Sequence, residues 1–178
     1  KFDAADGFDT SDCSVEGLQD AVVLNEFSSA GNDEIELFNH SDSPVNLGGW
    51  LLTDGVEAQR IDTYDPVSDA EKFVFPTGTV IAAGAYLVIP KGNEELSHPF
   101  GIAKKGDILS LVSPNGKLVD QSTYSDSQAI PSYCRVPDGT GTWQTCENTF
   151  GSSNEALRCG NGALDEGEEC DGSEFGGS

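Results

Sequence analysis

From Ala21 onward the chain is a succession of short runs rich in Val, Ile, Leu, Phe and Tyr, each closed by Gly, Pro, Asn, Asp or Ser. Runs of this length with these closures form strands and turns, and no helical period of useful length competes with them. The predicted strands are 21–27, 34–38, 50–53, 72–75, 79–81, 85–89, 107–112, 118–124, 133–136 and 142–146. Between them, Pro76-Thr77-Gly78, Ala83-Gly84, Pro114-Asn115-Gly116 and Pro137-Asp138-Gly139 supply the restricted or positive φ that a reversal requires. In Glu34-Ile35-Glu36-Leu37 the alternation predicts Ile35 and Leu37 facing a core and both glutamates facing water. About ten strands at this spacing give an all-β fold, a sandwich or a barrel. The polar stretch 54–71 carries neither period and reads as a long surface loop, the kind of segment in which function often resides.

The remaining segments cannot build a core. Residues 1–19 are an Asp-rich leader or linker, 20–150 hold the strands, and 151–178 form a Gly-rich acidic tail with two cysteines. A formal net charge of -22 repels phosphate backbones and anionic lipid, so nucleic acid is not an expected partner. The longest apolar stretch, 85–90, is far short of a membrane helix, which excludes helical membrane insertion. Residues 1–30 lack the basic-then-apolar layout of a signal peptide, and the chain reads as mature and as an excerpt of something longer.

Clustered carboxylates are what hard cations need, which makes calcium the ion to test. The candidate ligands are Asp3, Asp6, Asp9 and Asp12 around Gly7, and Asp165, Glu168 and Asp171 in the tail. A solvated, unliganded leader and tail is the competing reading. Cys134 and Cys146 flank the Pro-Asp-Gly-Thr-Gly turn, so they fall on adjacent antiparallel strands where a cross-strand disulfide can form. The other three cysteines also lie in acidic, extracellular-looking sequence, which favours an oxidising compartment, secreted or at the cell surface. Cys13 is either the odd one out or linked to the tail, which would staple both ends beside the sandwich. Catalytic arrangements find little support. His40 and His98 have no second imidazole or thiolate at a metal-ligand spacing, and His40-Ser41-Asp42 lacks a nucleophile elbow and reads as turn chemistry.

Several spaced elements resemble one family. Asn25-Glu26, Ile35-Glu36-Leu37 with Asn39, the Leu47-Gly48-Gly49-Trp50 corner and the Pro-Asp-Gly turn are together similar to the bacterial lamin-tail domains, over about residues 21–146. The resemblance implies an immunoglobulin-like β-sandwich, used as a module in secreted or surface proteins and sometimes found beside nuclease domains. Within it Trp50 is expected to anchor the core, Gly48 and Gly49 to make a tight corner, and Asn39 to bond local backbone. The tail from Cys159 to Gly172 resembles the start of a cysteine-rich repeat of large extracellular proteins of myxobacteria. Cys159 and Cys170 then either pair together or await later cysteines. The opening FDAADGFD is similar to degenerate Asp-rich calcium repeats, with Ala5 where another oxygen ligand often stands.

The expected function is a non-enzymatic extracellular binding or structural module with a protein or glycan partner. Two rivals remain: a self-assembling filament or surface-layer subunit that adds a strand to a neighbour, and an accessory domain of a secreted hydrolase or nuclease.

Overall fold

The structure, a computed structural model, describes residues 21–55 and 72–154. Eleven strands run in chain order: β1 (Val22–Phe27), β2 (Ile35–Asn39), β3 (Val45–Asn46), β4 (Leu51–Asp54), β5 (Lys72–Val74), β6 (Val80–Ile81), β7 (Tyr86–Ile89), β8 (Gly106–Val112), β9 (Leu118–Ser125), β10 (Ser132–Val136) and β11 (Thr142–Cys146). No helix occurs among the described residues. The predicted runs recur with ends shifted by no more than one residue. The addition is β3, which pairs with β6 inside a stretch that the sequence marks only as a turn.

Two antiparallel sheets stack face to face: a five-stranded one in the order β11-β10-β1-β2-β7 and a four-stranded one in the order β5-β4-β8-β9. Leu24, Phe27, Ile35, Leu37 and Ile89 from the first meet Leu52, Phe73, Leu109, Leu111 and Tyr124 from the second. Burying each such side chain contributes about 1.5–3 kcal/mol, which is what holds the layers together. The sandwich is immunoglobulin-like in architecture.

One residue sets the pattern of β1. A bulge falls between Leu24 and Glu26, so Asn25 has no cross-strand partner on β2. An extra residue inverts the alternation beyond it. Val22 and Leu24 therefore point inward before the bulge and Phe27 after it, while Glu26 turns to the outer face. Here the expectation for Glu36 fails. It does sit on the outer face, directly across from Glu26, yet both carboxylates are 0 % exposed because more chain lies over them.

A second polar device closes one side of the sandwich, where β10 has parted from β1. Leu24 N–H donates to Asp120 Oδ2 at 2.9 Å, and Arg135 Nε donates to Leu24 O at 2.9 Å. Arg135 Nη2 then grips both Asp120 oxygens at 2.8 and 3.0 Å, while its guanidinium lies 4.8 Å from the Trp143 ring centre. A strand edge that has lost its ladder partner is thus satisfied by the Asp120–Arg135 ion pair from two other strands.

Candidate functional site: a carboxylate cluster under a C-terminal strap

The outer face of the five-stranded sheet carries Glu26, Glu36, Ser132, Cys134 and Val88 side by side, as the strand registers require. The turn after β10 and the segment 147–154 after β11 fold over it. Thr149 donates its N–H to Glu26 at 3.1 and 3.2 Å, and its hydroxyl oxygen lies 2.7 Å from Glu26 Oε2. Gly151 N–H donates to Glu36 Oε2 at 2.6 Å. Asp138 accepts from the Ser153 hydroxyl at 2.6 Å and from Asn154 N–H at 3.1 Å.

Asn25, freed from the ladder by the bulge, sits at the centre. Its amide donates to Glu36 Oε1 at 2.9 Å and to Asp138 Oδ1 at 2.8 Å, and its Oδ1 accepts Gly139 N–H at 2.9 Å. Asn154 reaches back to the Asn25 and Arg135 carbonyls at 3.1 and 3.2 Å. The Ser132 hydroxyl donates to Glu26 Oε1 at 2.6 Å, and the Tyr86 hydroxyl to Asp138 Oδ2 at 2.9 Å.

All of these donors are neutral. Three carboxylates share a small volume with only amides and hydroxyls as bonding partners. Burial pushes the Glu36 carboxyl up from 4.5 to about 7. The Asn25 and Gly151 bonds pull it down in part, and the Glu26 and Asp138 charges push it up further. Tyr86 is pushed up to about 12, first by burial and then by its bond to Asp138.

A proton held near neutrality on a buried carboxyl is a property that acid–base catalysts also show. The oxygens of this cluster, however, are engaged by the protein's own backbone and side chains. That geometry secures a chain segment, and among the described residues no group of three or more His, Cys, Asp or Glu is placed to hold a metal ion.

The other sequence candidates take their places as follows. Trp50 is 5 % exposed within the core, at the start of β4. Gly49 before it has φ +81°, a left-handed conformation that a residue with a Cβ adopts at a cost of about 1–2 kcal/mol. Asn39 is fully buried and bonds in two directions. Its Oδ1 accepts Ser41 N–H at 3.1 Å and lies 2.7 Å from Ser41 Oγ, and its amide reaches the carbonyls of Ser43, Ile81 and Ala82 at 2.8, 3.2 and 3.0 Å. It therefore ties the turn after β2 to the turn after β6. Ser41 is thereby a turn residue in a local hydrogen-bond network.

Cys134 and Cys146 lie on the outer face of β10 and β11, diagonal in the register, with Cα atoms 6.2 Å apart and their sulfurs meeting. Asp3, Asp6, Asp9, Asp12, Cys13, Cys159, Asp165, Glu168, Cys170 and Asp171 lie outside the described residues, as does most of the 54–71 connection.

Sequence reasoning missed Glu36, Asp138, Thr149, Gly151 and Asn154 as members of one cluster. A signal was present in Val22-Val23-Leu24-Asn25-Glu26-Phe27, where Phe27 breaks the period of two. Only a bulge at Asn25 places Leu24 and Phe27 on one face.

An all-β sandwich with a structural polar seam defines an immunoglobulin-like module, compatible with a structural or binding role. Residues 18–126 match the family model of the Lamin Tail Domain, more than half of the chain, and the protein belongs to that family. No curated protein matches the chain. Domains of this family are immunoglobulin-like and generally non-catalytic.

Proposed function

We propose that this chain is a non-enzymatic recognition or structural module of a larger secreted or surface protein of bacterial type, with a protein or glycan partner outside the cell. The observation that carries this reading is the use made of the family's polar residues. Asn25, Glu26, Glu36 and Asn39 are all fully buried and bonded to the protein's own chain, so they build a scaffold.

More than half of the acidic residues fall in 1–20, 56–71 and 155–178, outside the described sandwich. Such a distribution suits calcium or a cationic partner, and the 54–71 connection is the segment to offer to it. Calcium is assigned to the Asp-rich leader and to the tail around Asp165, Glu168 and Asp171. The meeting of Cys134 and Cys146 supports an oxidised pair and hence an extracellular setting.

Co-sedimentation of the full chain with isolated cell-surface polysaccharide, and binding to immobilised surface protein, in calcium and in chelator, tests the reading. Saturable binding to one of them that weakens in chelator is expected, together with no more than three free thiols in freshly isolated protein. Five free thiols, or substrate turnover abolished by a point substitution in the sandwich, would contradict it.

A further inference from the structure

We propose that Glu147–Asn154 is a detachable strap, docked over the outer face of the larger sheet through Glu26, Glu36 and Asp138, that loosens as the solution turns alkaline.

Three features of the geometry make it a separable unit. The strap is held chiefly by hydrogen bonds to carboxylates, with half-buried Phe150 as its one large apolar side chain. Its first residues, Glu147 and Asn148, are exposed and leave room for a hinge. Cys146 immediately before it meets Cys134, so β11 stays anchored when the strap moves. Bonds from neutral donors to shielded carboxylates are strong only while water is excluded, which makes the interaction cooperative along the strap.

The charge environment sets the direction. Glu36 is faced by Glu26 from β1, by Asp138 from the turn after β10 and by Tyr86 from β7. Glu34 and His40 flank it along the chain around β2, and Glu147 is the ionisable residue on the strap itself. With the strap docked, the Glu36 carboxyl holds its proton up to about 7. With the strap lifted, water returns and the group falls in the direction of its ordinary value of 4.5, the relief of burial outweighing the loss of the Gly151 bond. The docked form thus binds more protons between these values. Its advantage is complete below the lower value and is lost as pH rises through the upper one.

His98 acts on the whole fold in the opposite sense. Burial holds its imidazole below the usual histidine range, against the upward pull of the Asp33 carbonyl 2.7 Å from Nε2, so protonation in acid weakens the fold. A local readout separates the two effects.

Amide hydrogen exchange of the full chain by NMR, corrected for intrinsic rates, supplies that readout at Thr149 and Gly151, with Leu109 and Leu111 of β8 as reference. Protection at Gly151 is expected to fall by about tenfold or more between pH 5.5 and 8.5, a partial expression of the shift, while β8 stays protected. In Glu36→Gln the strap amides should lose this pH dependence. Asn154→Ala, which leaves the core untouched, should speed Gly151 exchange at every pH with β8 unchanged. Flat protection in the native chain, a native slope in Glu36→Gln, no effect of Asn154→Ala, or parallel loss at Leu111 would each overturn the proposal.

Discussion

Trp50→Ala is expected to destabilise the protein by about 3–5 kcal/mol, enough to lower the melting temperature by about 10 °C or more. The indole is buried in the core at the start of β4, and its backbone closes two bonds, donating to Leu47 O and accepting from Phe75 N–H, each at 2.9 Å. Removing the ring leaves a cavity at the corner where β3, β4 and β5 converge. Trp143→Ala is the useful contrast. That ring is half-buried, stacked on Tyr133 at 5.3 Å and tilted against Phe27 at 5.2 Å, and its loss should cost less. Denaturant melts of the two variants check the order. Equal losses would mean that Trp50 does not anchor the core.

Asn39→Ala is expected to cost about 2–4 kcal/mol, although it removes almost no apolar area. The side chain satisfies three carbonyls and one N–H belonging to two turns, and each group left buried without a partner costs about 1–3 kcal/mol. Asn39→Asp separates the parts. It keeps the acceptor for Ser41 and loses both amide donors, placing a carboxylate among carbonyl oxygens. Its loss should equal or exceed that of alanine near neutral pH. An aspartate variant as stable as the native chain would show that the amide donors do not matter.

Much of this architecture is legible in the chain. Runs such as 107–112 and 118–124 are long, apolar on one face and closed by Pro-Asn-Gly, and they become β8 and β9 with their turn between them. The two-residue β3 is not legible, because a pairing that short leaves no period to read. Nor is the outer seam. Glu36 looks like a solvent-facing strand residue because its local pattern is amphipathic, and it is buried by Gly151, 115 residues away in sequence. Periodicity reports which face a side chain takes and is silent on what later folds over that face. The bulge at Asn25 hides the rest, since one inserted residue makes the second half of β1 point the opposite way from a simple alternation.

The family motif reads differently once the seam is known. A resemblance puts Asn25, Glu26, Glu36 and Asn39 together as conspicuous polar residues, and conspicuous polar residues invite a reading as reactive groups. Their bonds give them another task. Glu26 and Glu36 secure the strap, Asn25 joins β2 to the turn after β10, and Asn39, at the end of β2, joins two turns.

A double-mutant cycle of Asn25→Ala and Asp138→Ala tests most directly whether the outer-face polar residues hold the fold as one unit. The two side chains bond at 2.8 Å across 113 residues of sequence. Coupling of about 1 kcal/mol or more, measured by denaturant unfolding at pH 6, is the expected result. Additivity within about 0.3 kcal/mol would contradict it, because residues that stabilise the fold separately cannot form the seam.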